Sequence, residues 1–252
     1  MFFGVEGAEE MDCEGEGGGD RMRGMEKRKI MVLPSILSAR MGHLAADGAR
    51  ALEAGADGLH VDIMDGHFVP NLTLGPDVLR ALRTELPGAY LHVHLMVDRP
   101  DLYAPRFIEA GADAVLIHVE SPCDGAATLR AIRAAGKRSG AVICPETPVD
   151  SLAAWAEAGL LDEVLVMTVH PGFGGQAFLE SGLPKLTELR RRWPKLDLSV
   201  DGGINIETGA RCAAAGANIL GAGSFLYHAA DMRSTIEAMR CAAVDAVAAQ
   251  GA

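Results

Sequence analysis

From Ile30 onward, short runs of apolar and β-branched residues alternate with longer stretches rich in Ala, Leu and Arg. Runs of that length between turn residues read as buried strands, and the longer stretches read as helices with one apolar face. The pattern predicts strands at Met31–Ile36, Gly58–Ile63, Tyr90–Met96, Ala114–His118, Gly140–Ile143, Val164–Thr168, Leu196–Val200 and Asn218–Leu220, with helices between them. Three helices end in one repeated phrase: Glu53-Ala54-Gly55-Ala56-Asp57, Glu109-Ala110-Gly111-Ala112-Asp113 and Ala214-Ala215-Gly216-Ala217-Asn218. Each puts glycine where a helix C-cap takes a left-handed conformation before the next strand.

Eight strand–helix units in 252 residues predict an α/β fold, a closed (β/α)8 barrel of a single domain over residues 29–252. The open doubly wound sheet is the alternative. It is disfavoured because no G-x-G-x-x-G turn follows the first strand. Residues 1–28 have acidic clusters and many glycines but no apolar period, which predicts a disordered tail. Met25 and Met31 are alternative translation starts beside it.

A barrel carries its chemistry at the C-terminal ends of its strands. In the second strand, alternation puts His60, Asp62 and Met64 on one face, and in the third it groups His92, His94 and Met96. The seventh ends in Asp201-Gly202-Gly203. Buried imidazoles and carboxylates are costly unless paired or coordinated. Two of each make a mixed N/O donor set, suited to Zn, Fe(II), Mn or Co rather than Ca or Mg. Glycine-rich segments follow the sixth and eighth strands, His170-Pro171-Gly172-Phe173-Gly174-Gly175-Gln176 and Gly221-Ala222-Gly223-Ser224. With Gly202 and Gly203 they predict a phosphate cradle of backbone N–H groups on the last strands.

Composition narrows the partners. A formal charge of -11 disfavours nucleic acid, whose binding needs a net basic face, but leaves room for one small anion. The cysteines, Cys13, Cys123, Cys144, Cys212 and Cys241, are odd in number and lack a C-x-x-C pair. That speaks against a disulfide framework or thiolate zinc site and for a reducing cytoplasm. No apolar run reaches membrane-spanning length, and the first ten residues lack a secretory signal's basic flank, so no membrane partner is expected. None of Lys27, Lys29, Lys137, Lys185 and Lys195 lies in a strand or at its catalytic end, which disfavours a Schiff-base aldolase.

Pro34-Ser35-Ile36-Leu37-Ser38, the unbroken block from His60 to Asn71, His94-Leu95-Met96, Pro171 to Gln176 and Val200-Asp201-Gly202-Gly203-Ile204 resemble the ribulose-phosphate 3-epimerases. The likeness runs in order from about Ile30 to Ile236. It implies a barrel of the ribulose-phosphate-binding type that interconverts D-ribulose 5-phosphate and D-xylulose 5-phosphate in the pentose phosphate pathway. It also implies one divalent metal on His60, Asp62, His94 and Asp201, with Asp62 and Asp201 as the acid/base pair. Substrate contacts fall on Ser35, His94, Gly172, Phe173, Gly174, Gly175, Asp201, Gly202, Gly203, Gly223 and Ser224. Met64, Met96 and Met167 would form an apolar lid, and the family commonly forms homo-oligomers. Rival readings are a related epimerase of a longer ketose phosphate, such as D-allulose 6-phosphate, and a metal-binding barrel without catalysis.

This chain departs from the family's pattern at three positions. His92 stands where aspartate is common, His170 where asparagine or aspartate is usual, and Cys144 where asparagine is usual. None replaces an implied ligand; the two histidines change the hydrogen bonds around the site. His67 is expected to order its loop, and His43, His118 and His228 to be structural.

Overall fold

The computed structural model describes residues 28–250. Residues 1–27 of the expected tail therefore lie outside the described residues. Arg28 is inside them, with its guanidinium 2.8 Å from the Asp197 carboxylate.

Eight strands are present: β1 (Met31–Pro34), β2 (Leu59–Met64), β3 (Leu91–Met96), β4 (Ala114–His118), β5 (Arg138–Ile143), β6 (Glu163–Met167), β7 (Asp197–Asp201) and β8 (Ile219–Ala222). The helices between them are α1 (Leu44–Glu53), α2 (Pro76–Glu85), α3 (Pro100–Glu109), α4 (Gly125–Ala134), the short α5 (Ala153–Glu157), α6 (Gly182–Arg192) and α7 (Ile206–Ala214). A one-turn α8 (Ser224–Tyr227) and the long α9 (Met232–Gln250) follow β8. All neighbouring strands are parallel, in the order β1-β8-β7-β6-β5-β4-β3-β2. A parallel bridge between Ser35 and His60 joins the remaining pair of edges and brings the sheet round into a barrel.

Alternation divides every strand between two environments. Outward residues such as Val61, Ile63, Val93, Leu95, Val115, Ile117, Val164 and Val166 pack with the helices in one apolar layer. In α9 the buried Met232, Ile236, Met239 and Ala243 recur at helical spacing and lay one stripe on this layer. Inside, Ala114, Leu116, Val142, Leu165 and Met167 fill one side of the barrel, whereas His60, Asp62, His92 and His94 occupy the other. Register places His60 beside His92, Asp62 beside His94 and Met64 beside Met96.

The repeated helix-ending phrase has a structural counterpart. Gly55, Gly111 and Gly216 all have positive φ, between 97° and 120°. The residue that ends each phrase then accepts a backbone N–H from the strand before: Asp57 from Val32, Asp113 from Leu91 and Asn218 from Leu198. Asp162 does the same for Ser139, so all four odd-numbered strands are anchored this way. Arg240 binds Asp57, Arg83 binds Asp113, Arg190 binds Asn218 and Arg133 binds Asp162.

Observed strand limits differ from the expected ones by up to two residues, and three differences matter. β1 stops at Pro34 because the Ser35 side chain caps a 3-10 turn over Ile36–Ser38. β6 begins at Glu163, a charge that reads as loop in sequence but is fully buried here against His92. β7 continues through Asp201, whose partner in the ladder is Gly221 of a longer β8.

Candidate functional site

At the C-terminal end of the barrel, β2, β3 and β7 bring His60, Asp62, His94 and Asp201 together. One potential ligand atom from each lies within 4.8 Å of all the others. Asp62 is the hub. Its Oδ1 is 3.1 Å from His60 Nε2 and 3.0 Å from His94 Nδ1, and its Oδ2 accepts a 2.5 Å hydrogen bond from Ser35 Oγ. The bridge between Ser35 and His60 holds that hydroxyl over the carboxylate. Asp201 Oδ2 is 3.9 Å from His60 Nε2. Below Asp62, its carbonyl accepts from Thr73 Oγ1, which accepts in turn from Met64 N–H, so the loop after β2 is pinned to the strand.

Electrostatics follow from crowding charges where water is excluded. Burial disfavours ionised Asp62, but the two imidazoles outweigh it and hold its carboxyl well below the usual range. Asp201 is pushed the other way, by burial first and the Asp62 charge second. Two carboxylates that share a site cannot ionise equally. Burial opposes a charge on His60 too, yet Asp62 and Asp201 draw its pKa up to about 9. Burial drives His94 down to about 3, against the pull of Asp62. The cluster thus has negative charge in excess and draws a positive charge inward. His60 Nε2 is buried, faces the carboxylates and lacks a well-formed hydrogen bond. An orphaned ring nitrogen between two carboxylates fits a cation there, and the four side chains could hold a metal ion.

Behind the cluster stand His92, which the sequence reading expected among the hydrogen bonds around the site, and Glu163, His118 and Glu120, which it did not assign there. His60 Nδ1 lies 2.8 Å from His92 Nδ1, and His92 Nε2 lies 2.7 Å from Glu163 Oε1. His94 Nε2 lies 2.9 Å from His118 Nε2, and His118 Nδ1 lies 3.0 Å from Glu120 Oε2. The structural role expected for His118 is therefore too narrow, since it touches an imidazole of the cluster. Period-two alternation in β4 carries no hint of this, because the contact crosses to β3. Glu163 had a weak signal, as one carboxylate opening an apolar run. His170 is exposed and paired with Glu146 at 2.7 Å, away from the cluster. His228 lines the cavity described next.

A cavity of about 390 Å³ opens over the cluster, within the ordinary range for a small-molecule site. Asp62, Asp201 and Ser35 line one side; the glycine segments Gly172–Gly175 and Gly202–Gly203, together with Phe173, Gly223 and Ser224, line the other. The segment after β6 is held by Asn71, which donates to the Gly172 carbonyl at 2.8 Å, and by Gln176, which donates to the His170 and Phe173 carbonyls. A Cβ on Gly223 would fall 2.6 Å from Ser38 Oγ, so backbone reaches the cavity only because no side chain stands there. Met64, Met96 and Met167 also line it. They are buried at strand ends, Met64 and Met96 packed with Val69 and Met167 with Val169 and its neighbours. Lys185 lies elsewhere, its ammonium donating to the carbonyls of Cys144, Pro145 and Thr147.

Among solved structures, the fold is similar to KGPDC from Streptococcus mutans, with TM-score 0.63 and 15% identity over 86% of this chain and 98% of that one. It is also similar to 3-hexulose-6-phosphate synthase from Salmonella typhimurium, with TM-score 0.62 and 17% identity over 86% and 99%. Such distant likeness shows the barrel and no more. Sequence likeness is closer. The ribulose-phosphate 3-epimerase of Bacillus subtilis is 44% identical over 218 residues, 84% of this chain and 98% of the relative. That of Eremothecium gossypii is 40% identical over 222 residues, 84% and 92%. The cytoplasmic isoform of Oryza sativa subsp. japonica is 44% identical over 211 residues, 83% and 92%. The sequence model of the ribulose-phosphate 3 epimerase family matches residues 31–227, from the first residue of β1 to the last of α8, and the chain belongs to that family.

Proposed function

We propose that this protein is a metal-dependent ribulose-phosphate 3-epimerase, an isomerase that interconverts D-ribulose 5-phosphate and D-xylulose 5-phosphate. The observation that carries the reading is the placement of two carboxylates of opposite character, Asp62 and Asp201, in one cavity between a polar cluster and a glycine-lined wall. Epimerisation beside a ketone needs one group to take the C3 proton and another to return a proton to the opposite face. Asp62, kept ionised by its imidazoles, is the base in one direction. Asp201, raised toward neutrality, is the acid, and the two exchange roles in reverse. The C3–H bond breaks, its electron pair forms the C2=C3 bond while the carbonyl π pair moves onto the C2 oxygen, and the planar enediolate is reprotonated at C3 from the other side as the C2 carbonyl re-forms. Ser35 donates to Asp62 Oδ2 and keeps that carboxylate oriented.

The residues that would hold the cation are His60, Asp62, His94 and Asp201, a donor set suited to Zn, Fe(II), Mn or Co. When bound, the ion stabilises negative charge developing on the substrate's oxygens, by several kcal/mol in typical cases. Backbone of Gly172, Gly174, Gly175, Gly202, Gly203, Gly223 and Ser224, with Phe173 beside it, would hold the phosphate, and His94 would lie next to the sugar. Met64, Met96 and Met167 shield the reacting carbon from water.

The test is incubation of zinc-loaded protein with D-ribulose 5-phosphate in deuterated water, followed by NMR. Xylulose 5-phosphate labelled at C3, lost on chelation, is expected. No exchange with metal bound would reject the pentose and direct the same assay to D-allulose 6-phosphate.

The proposal also takes residues 29–252 as a single catalytic domain of a cytoplasmic homo-oligomer. Among the described residues, no helix is long and apolar enough to cross a membrane. A relative from rice is named as a cytoplasmic isoform. Light scattering on the purified chain measures the subunit number.

A further inference from the structure

The hydrogen bonds that lead away from His60 have a direction, and it is set from the far end. His60, His92 and Glu163 are each 1% exposed, so each meets its neighbour out of reach of bulk water. Glu163 also has the Arg138 guanidinium 3.9 Å from its Oε2, which favours the ionised carboxylate. A carboxylate only accepts. The 2.7 Å contact therefore puts a proton on His92 Nε2. A neutral imidazole has one N–H, so His92 Nδ1 carries a lone pair and accepts. The 2.8 Å contact between the two Nδ1 atoms then needs its proton on His60. A neutral His60 so protonated presents its Nε2 lone pair to Asp62 and Asp201, which is what a cation requires.

We propose that Glu163, acting through His92, is a positioning residue that holds His60 in the tautomer able to ligate a cation through Nε2. This rests on the metal reading given above. The second chain has the same polarity: Glu120 accepts from His118 Nδ1, His118 Nε2 accepts from His94 Nε2, and His94 Nδ1 is left facing Asp62. Glu120 is partly exposed and also accepts from Thr147 and the Cys144 N–H, so it is tied in several ways. Cys144 Sγ, 3.6 Å from His118 Nδ1, makes His118, Glu120 and Cys144 another group that could hold an ion. An ion on His118 Nδ1 would need the proton on His118 Nε2, reversing the bond to His94 and putting a proton on His94 Nδ1. Neutral imidazoles cannot serve both places together.

Glu163 is the place to test, because it is remote from substrate and has one imidazole to act on. Zinc affinity is measured by competition with a chromophoric chelator. Glu163→Leu removes the acceptor, and zinc affinity is expected to fall about 10- to 100-fold. Glu163→Gln, whose amide oxygen still accepts, loses less. The double variant His92→Asp/Glu163→Leu recovers, since a carboxylate at residue 92 accepts directly from His60 with no second charge beneath it. Wild-type affinity in Glu163→Leu, or no recovery in the double variant, overturns the proposal. Circular dichroism checks that the variants fold. Independently of them, two-bond 15N NMR of ring-labelled wild-type protein with zinc bound reads the tautomer: an unprotonated Nδ1 on His92 is expected, and a protonated one overturns the proposal. Wild type that binds no zinc rejects the metal reading itself, which differs from zinc binding that is indifferent to residue 163.

Discussion

The two sides of the cavity are built in opposite ways. Across β2–β4, with Asp201 joining from the end of β7, the cavity is walled by side chains, imidazoles and carboxylates fixed in rigid strands and largely buried. On the β6–β8 side, it is walled by backbone in glycine-rich loops, and the absence of side chains is the point. The difference suits the two tasks of the proposed function. Moving a proton at one carbon needs charge and pKa values fixed in place, whereas gripping a phosphate needs many modest N–H donors that can come close.

Four expectations sharpen that contrast. The largest is at the proton-transfer side: Asp62→Asn or Asp201→Asn should lower kcat about 10²- to 10⁴-fold, with far less effect on KM, as steady-state assays would show. An equal rise in KM would mean that the aspartates only bind. Next is pH. His60 has its pKa raised to about 9, so below that value a proton competes with the cation. Zinc affinity should rise by about tenfold per pH unit between pH 6 and 8 if one proton is displaced, as calorimetry in buffers of different ionisation enthalpy would measure. Inhibition by inorganic phosphate at the glycine side should lack that slope.

Gly223→Ala comes third. The new Cβ meets Ser38 Oγ and fills the cradle. KM should rise about tenfold, or ~1.4 kcal/mol of binding, while kcat changes less. A pure loss of kcat would place the phosphate elsewhere. The smallest effect is on stability. Removing an ion present at about 100 times its Kd takes away ~2.7 kcal/mol. For a domain of this size that lowers Tm by roughly 5–10 °C. Unchanged Tm on chelation would show that the cluster holds its charges without a cation.

Legibility in the sequence followed the same division. Strand alternation was enough to put His60 with Asp62 and to turn His94 inward, and the fold placed all three as expected. The glycine segments could be read as parts of one cradle on the last strands, but not the bonds that fix them to other loops. The bond from Asn71 to the Gly172 carbonyl joins residues 101 apart in sequence. The glutamates were the hardest to find. Glu163 sits 71 residues from His92 and reads as a loop charge, because nothing local says that β6 starts there.

By itself, the sequence determined the βα repeat, the helix-ending glycines and the inward faces of β2 and β3, all consequences of short-range periodicity and sterics. It also carried the motifs by which the family is recognised. Only the tertiary structure decided which nitrogen of each histidine meets which partner, that Asp62 and Asp201 are pushed to opposite sides of their usual pKa, and that a glutamate stands behind each histidine pair, Glu163 buried and Glu120 partly exposed. These depend on register between strands and on the exclusion of water. Both arise only once the barrel closes, because charges a few ångströms apart shape one another strongly only where solvent no longer screens them.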